Sequence, residues 1–216
     1  PLLLSSIAIL LIMNIDKIML GEMRDNREVG IFSIAANLSI MLYFIPVILG
    51  STFMPSLVKN WKTNNIQFNN TLNNIFGIST IIGLVFFAIG YFTVEPFILL
   101  VYGFEYAESA DILIIHLLTF IFVSHVSIRN RVLVIADKRY LVSFLSIFTL
   151  LCNVVLNFIL IPKHGALGAV CASLLSWMFS VLLIPLFNKD TFTYPKVFFQ
   201  SIVYTVKNYL TFNNKL

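Results

Sequence analysis

The sequence predicts an all-α integral membrane protein whose six transmembrane helices form one bundle. Three observations carry that prediction. Hydrophobic residues make up 59% of the 216 residues and charged residues only 11%, whereas about a quarter of an ordinary soluble domain is charged. Apolar stretches long enough to cross a bilayer recur six times between polar connections, and the mean hydropathy is +0.93. The basic residues gather on alternate connections, as they do in oriented membrane proteins.

A spanning helix needs about 20 mostly apolar residues. The first span is 2–20. It opens on Pro1 inside an apolar run, so the chain is expected to be a fragment that lacks the start of this helix. Only Ser5 and Ser6 interrupt the run before Asn14, Asp16 and Lys17. A loop with Glu22, Arg24, Asp25, Arg27 and Glu28 follows. The second span, 29–57, carries no charge; a kink is expected near Pro46 and an end near Pro55. An Asn-rich polar stretch holds Lys59, Lys62 and Trp61, the last an expected interfacial anchor. The third span is 75–94, and the loop beyond it has Glu95, Glu105, Glu108 and Asp111. The fourth, 112–136, carries Arg129 and Arg131 on its last turns. After Asp137-Lys138-Arg139 comes the fifth span, 140–161, stopped by Pro162. The sixth, 165–187, stops at Asn188-Lys189-Asp190. In the tail, 188–216, Phe199, Ile202, Val203, Val206 and Leu210 repeat at helical spacing. An amphipathic helix lying on the membrane surface is expected there.

Charge orients these spans. Lys59, Lys62, Arg129, Arg131, Lys138, Arg139, Lys189, Lys196, Lys207 and Lys215 fall on one side; Arg24, Arg27 and Lys163 fall on the other. The richer side is expected in the cytoplasm, with the C-terminus. The net charge of +4 is therefore read as membrane orientation, not as a nucleic-acid surface.

Chemistry-bearing motifs are few. No glycine loop suited to phosphate, no Cys or His pair at metal spacing and no evident Ser-His-Asp set stands in the sequence. Cys152 and Cys171 lie in apolar spans, where buried packing thiols are expected. His116 and His125 stand nine residues apart on one helix and point to opposite faces. Helix–helix hydrogen bonding suits them better than ligation. An ionised side chain at the bilayer centre costs about 2.5–3.5 kcal/mol, so the charges inside spans need an explanation. Asp16 and Lys17 lie about 100° apart on their helix and cannot pair as charges four apart do. One can snorkel outward while the other faces the bundle. They are candidates for a gating or ion-coupling pair near the outer end, with end-anchoring as the alternative. Arg129 and Arg131 either anchor the helix at the interface or turn into a cavity and bind a phosphate through paired N–H donors. Asn37, Asn153 and Asn157 are candidates for cavity lining or interhelical hydrogen bonding; Asn153 and Asn157, at i and i+4, share a face. Gly165, Ala169, Ser173 and Ser176 make a small-residue stripe suited to close helix packing.

The stretch Asp16-Lys17-Ile18-Met19-Leu20-Gly21, followed by Val29-Gly30-Ile31-Phe32-Ser33-Ile34-Ala35-Ala36, resembles the seventh and eighth helices of bacterial oligosaccharide flippases. These are the Wzx-type O-antigen and capsule transporters of the MATE/MOP superfamily. The likeness continues through Ile45-Pro46, Met54-Pro55, Tyr102-Gly103-Phe104-Glu105-Tyr106, Asn153, Asn157 and Ile161-Pro162-Lys163-His164-Gly165-Ala166-Leu167-Gly168-Ala169. The resemblance implies the C-terminal half of a twelve-helix transporter in the bacterial cytoplasmic (inner) membrane. It implies alternating access that moves undecaprenyl-diphosphate-linked repeat units to the outer leaflet, for O-antigen or capsule. On that basis Arg129 and Arg131 would meet the diphosphate, and the expected partners are the lipid-linked oligosaccharide, membrane lipids, the N-terminal half and other polysaccharide-assembly proteins. No cofactor is expected beyond coupling to protons or sodium ions, and no enzymatic activity. Two rivals stand beside it. A cation-coupled multidrug exporter would have a less cationic cavity. A membrane enzyme of polysaccharide assembly would have a large outer loop, whereas the longest here is about 95–111.

Overall fold

The computed structural model describes residues 2–182, and the expected tail helix lies outside them. The described residues are helical throughout: α1 (Leu2–Met23), α2 (Asn26–Ile40), α3 (Phe44–Asn60), α4 (Asn65–Val101), α5 (Ser109–Ile135) and α6 (Arg139–Leu182). Hydropathy makes five runs long and apolar enough to cross a membrane, with α2 and α3 joined as one.

The 44-residue α6 is two helices. At about 1.5 Å per residue a straight helix of that length would span twice the roughly 30 Å hydrocarbon core. Instead the chain turns at Gly165, whose φ of 54° and ψ of −133° leave the helical region. Asn153 then meets Ser173, and Thr149 meets Ser180, so the limbs run antiparallel. Pro162, where the fifth span was expected to stop, lies inside the helix, three residues before the turn.

The connection between α1 and α2 holds this hairpin. Arg24 Nε donates to the carbonyl of Ile161 (3.0 Å), at the C-terminal end of the first limb. Glu28 accepts from the backbone N–H of Ala166 (2.7 Å), at the N-terminus of the second. A cation at one helix end and an anion at the other both suit the helix dipoles. The Glu28 carboxylate also fills the space that a methyl group on Gly165 would need.

Two boundaries differ from expectation. A 3-10 turn, Met41–Tyr43, separates α2 from α3. It lies one turn before Pro46, whose missing N–H and bulky ring disturb the turn behind it. However, α3 runs through Pro55 and ends at Asn60. The Asn-rich stretch is likewise helical from Asn65, because Asn64 caps it by accepting from Gln67 N (3.0 Å). Trp61, between α3 and α4, stacks obliquely on Phe68 at 5.1 Å.

Large apolar side chains cover the outside: Leu10, Phe44, Val85, Phe92, Phe148 and Phe158 are all exposed. This is the pattern of helices facing lipid. Inside, α5 is the most buried helix and packs on α2, α4 and α6. His125 faces α4. Its Nδ1 donates to the Ile121 carbonyl (2.8 Å), and its Nε2 lies 3.2 Å from the Thr80 hydroxyl, which itself donates to the Phe76 carbonyl. Cys152 and Cys171 are unbridged and only half-buried, not fully enclosed as expected.

Candidate ion-coupling site and cationic cleft

Asp16 is not at a helix end. The first helix continues to Met23, about 10 Å beyond it at 1.5 Å per residue. Its side chain is 3% exposed and faces α6. Oδ1 accepts from Asn157 Nδ2 (2.6 Å) and Asn153 Nδ2 (3.2 Å), and Oδ2 accepts from Ser173 Oγ (2.5 Å). Both limbs of the α6 hairpin thus converge on one carboxylate. Asn153 and Asn157 arrive together because they are one helical turn apart. Ser173 arrives because the Gly165 turn lays the second limb beside the first.

The energetics are balanced. Interhelical hydrogen bonds in membranes contribute about 0.6–2 kcal/mol each, and three of them are comparable with the insertion cost of about 2.5–3.5 kcal/mol. A cavity of about 30 Å³ adjoins the cluster, lined in part by Asp16, Ser39, Tyr43, His116, Thr119 and Ser173. That volume holds one or two water-sized occupants. Two polar groups of this region are left over. Asn157 Oδ1 and both ring nitrogens of His116 are buried without a hydrogen-bond partner among the described residues. The site therefore has a carboxylate, spare acceptors and a little room, which suits a proton, a water or a small cation. Ser173 and His116 were not in the expected site. Ser173 was read as packing, and its hydroxyl is the signal that could have separated it from Gly165 and Ala169.

Lys17 points elsewhere. It is half-buried and donates to Asn37 Oδ1 on α2 (3.1 Å). Asp16 and Lys17 thus share no hydrogen bond or salt bridge; each is held by a different helix.

The two arginines also part company. Arg129 is 3% exposed, and its Nη1 donates to the Ser180 carbonyl (2.6 Å) on the second limb of α6. It is held within the bundle. Arg131, two residues on and about 200° around the helix, lines an apolar cavity of about 490 Å³ with Tyr43, Pro46, Met54 and Trp177. It also lines a second, more open cleft of about 540 Å³ beside Lys59.

Comparison with known proteins fits this architecture to a biological process. No solved structure matches the chain. The capsular polysaccharide biosynthesis protein CapF of Staphylococcus aureus is 28% identical over 194 residues, which is 89% of this chain and 49% of CapF. The chain thus spans about half the length of that relative. A family model described as "Polysaccharide biosynthesis protein" matches residues 1–111, more than half of the chain. The chain belongs to this family of polysaccharide biosynthesis proteins.

Proposed function

We propose that the chain is one half of a transporter, not an enzyme, that carries lipid-linked oligosaccharide repeat units across the bacterial cytoplasmic membrane. The cargo on this reading is an undecaprenyl-diphosphate-linked unit for capsule or O-antigen, and the mechanism is alternating access of a Wzx-like, twelve-helix MATE-type fold. The observation that carries it is the Asp16 cluster. A carboxylate held by two limbs of a hairpin can change the packing of α1 on α6 when a proton or sodium ion arrives or leaves. With the site empty, the carboxylate draws the Asn153, Asn157 and Ser173 donors onto itself; an arriving proton or cation weakens their hold. Such a switch suits a machine that alternates between two shapes.

Cationic side chains at open cavities support the cargo assignment. Arg131 is the better diphosphate candidate, because Arg129 is already engaged by Ser180. Lys17 and Asn37 form a half-exposed polar pair suited to a sugar or to the opposing half. On the positive-inside rule, the end with Lys59, Lys62, Lys138 and Arg139 faces the cytoplasm, and the C-terminus lies on that side.

The test is genetic and chemical. Cells lacking the gene are expected to accumulate lipid-linked repeat units on the cytoplasmic leaflet and to recover with the wild-type gene. Asp16→Asn, present at normal level, is expected not to restore surface glycan. Normal glycan with new drug sensitivity in the deletion would favour a cation-coupled exporter and overturn the proposal.

A further inference from the structure

The small cavity beside Asp16 and the apolar cavity of about 490 Å³ are neighbours. They share three lining residues: Met13 of α1, Tyr43 of the 3-10 turn and Trp177 on the second limb of α6. Residues that line two cavities form the wall between them, so one layer of side chains parts about 30 Å³ from about 490 Å³. Helical spacing explains why the wall stands there. Met13 precedes Asp16 by three residues and Trp177 follows Ser173 by four, each close to one turn. The helix that carries Met13 and the limb that carries Trp177 run in opposite directions, as the Asp16–Ser173 and Glu28–Ala166 contacts show. The wall therefore lies about 5 Å, one helical pitch, to one side of the carboxylate cluster.

Tyr43 is the part of this wall built to move. It ends the 3-10 turn that interrupts the membrane run Asn26–Asn60, and neither side of that turn has a side-chain cap. A short 3-10 stretch inside a longer helical run often marks a hinge. The Tyr43 ring is half-buried and rests on Phe120 at 6.4 Å between centroids. Met13, also half-buried, is a flexible filler of gaps. Trp177 is the fixed post, 7% exposed and packed with Ile12 and Val123. Polar groups stand on both sides of this wall. Asp16, His116, Thr119 and Ser173 line the small cavity, and both ring nitrogens of His116 have no hydrogen-bond partner among the described residues. Ser127, Asn130 and Arg131 line the large one. A hydrated ion loses its solvation against apolar side chains and regains it among polar ones. The short crossing at the wall is thus the step that opposes its passage.

We infer that Tyr43 gates a water-filled route from the large cavity to Asp16, through which the ion reaches and leaves the carboxylate when the ring swings away from Met13 and Trp177. An occupant of the large cavity lies against the same ring and holds it shut. Ions therefore exchange at Asp16 while that cavity is empty and not while it is filled. The inference deepens the proposed function and rests on it only for the reading of Asp16 as an ion site. Ile40 marks the competing way in, because it also lines the small cavity and is 38% exposed.

The experiment uses the full-length protein in detergent. Thr119→Cys, at a position that lines the small cavity and not the large one, is the reporter, and iodoacetamide is the probe. The rate of labelling at that position is read by peptide mass spectrometry, which separates it from Cys152 and Cys171. Adding Tyr43→Ala is expected to speed labelling about tenfold, because opening no longer needs the ring to move. Tyr43→Phe keeps the ring and should change the rate little. Val47→Trp fills the large cavity and should slow labelling. In the unaltered protein, hydroxyl radicals made from local water by an X-ray pulse should oxidise Trp177 despite its burial and spare Phe120, a readout that needs no variant to fold. Labelling indifferent to Tyr43→Ala, equal acceleration by Tyr43→Phe, acceleration by Ile40→Ala in its place, or a Trp177 as protected as Phe120 would each overturn the gate. An unchanged rate in Val47→Trp would overturn its link to cavity occupancy. Export that needs Asp16 in a protein whose labelling ignores Tyr43 would overturn the gate and leave the proposed function standing. A route controlled by Tyr43, in a protein whose loss causes no lipid-linked units to accumulate, would overturn the proposed function and leave the gate standing.

Discussion

The Asp16 cluster and the Arg131 cleft are two charged places in this apolar bundle, and they are built in opposite ways. The acid is enclosed, carries three donors and adjoins about 30 Å³ of space. The base is open, has a lysine for company and adjoins more than fifteen times that volume. One suits an occupant the size of an ion; the other suits a bulky anion. Arg129 sharpens the contrast. It lies two residues from Arg131, yet it is tied to the Ser180 carbonyl and works as a strut between α5 and α6. A charge in a membrane helix is thus defined by its partner, not by its depth.

The comparison can be broken experimentally. The largest effect is expected for Asp16→Ala. It would leave Asn153, Asn157 and Ser173 facing a void, at about 1–3 kcal/mol for each stranded group. Thermal unfolding in detergent should show a large fall in Tm, with surface glycan lost. Asp16→Asn keeps most of the shape and should lose glycan with a much smaller fall in Tm; equal loss of stability in both variants would make the cluster structural only.

Next comes Gly165→Ala. Its φ of 54° strains any L side chain, and the Glu28 carboxylate occupies the space. A cost of about 1–3 kcal/mol is expected, read as a fall in Tm and as weaker expression. Glu28→Gln keeps a cap for Ala166 and should cost less than Glu28→Ala, about 1 kcal/mol.

Arg129→Met and Arg131→Met should then separate. The first removes the strut and should lower Tm, because the Ser180 carbonyl loses its donor. The second should leave Tm within about 0.5 kcal/mol of the parent while reducing glycan export. Reversal of that order would undo the distinction between strut and binding residue. The smallest effect is expected for Lys17→Gln, which can still donate to Asn37. Stability should not change measurably, and any change in export would reflect the lost charge.

Much of the architecture was legible in local composition. Apolar runs of membrane length, bounded by charged connections, needed no knowledge of distant residues. The 3-10 turn before Pro46 follows from one missing N–H. The helical Asn-rich stretch was not legible from hydropathy, because the Asn64 cap acts through one hydrogen bond and not through apolarity. Nor was the passage of α3 through Pro55. In the candidate site, Asp16, Asn153 and Asn157 were visible as polar residues in the wrong solvent. Ser173 was hidden in a stripe of small residues, and His116 was read only as a helix–helix contact.

The sequence by itself determined which segments are apolar enough to meet lipid and which side chains are too polar for lipid to leave alone. Periodicity also separated Asp16 from Lys17 and Arg129 from Arg131 by angle. Only the tertiary structure decided their partners. Asp16 meets residues 137 to 157 positions away because Gly165 folds α6 back on itself and α1 packs against both limbs. The physical reason is that a helix sets the angle between its own side chains, while its rotation within the bundle is set by all its neighbours. That rotation puts the carboxylate of Asp16 inside, among amides, and leaves the guanidinium of Arg131 at the mouth of a cleft.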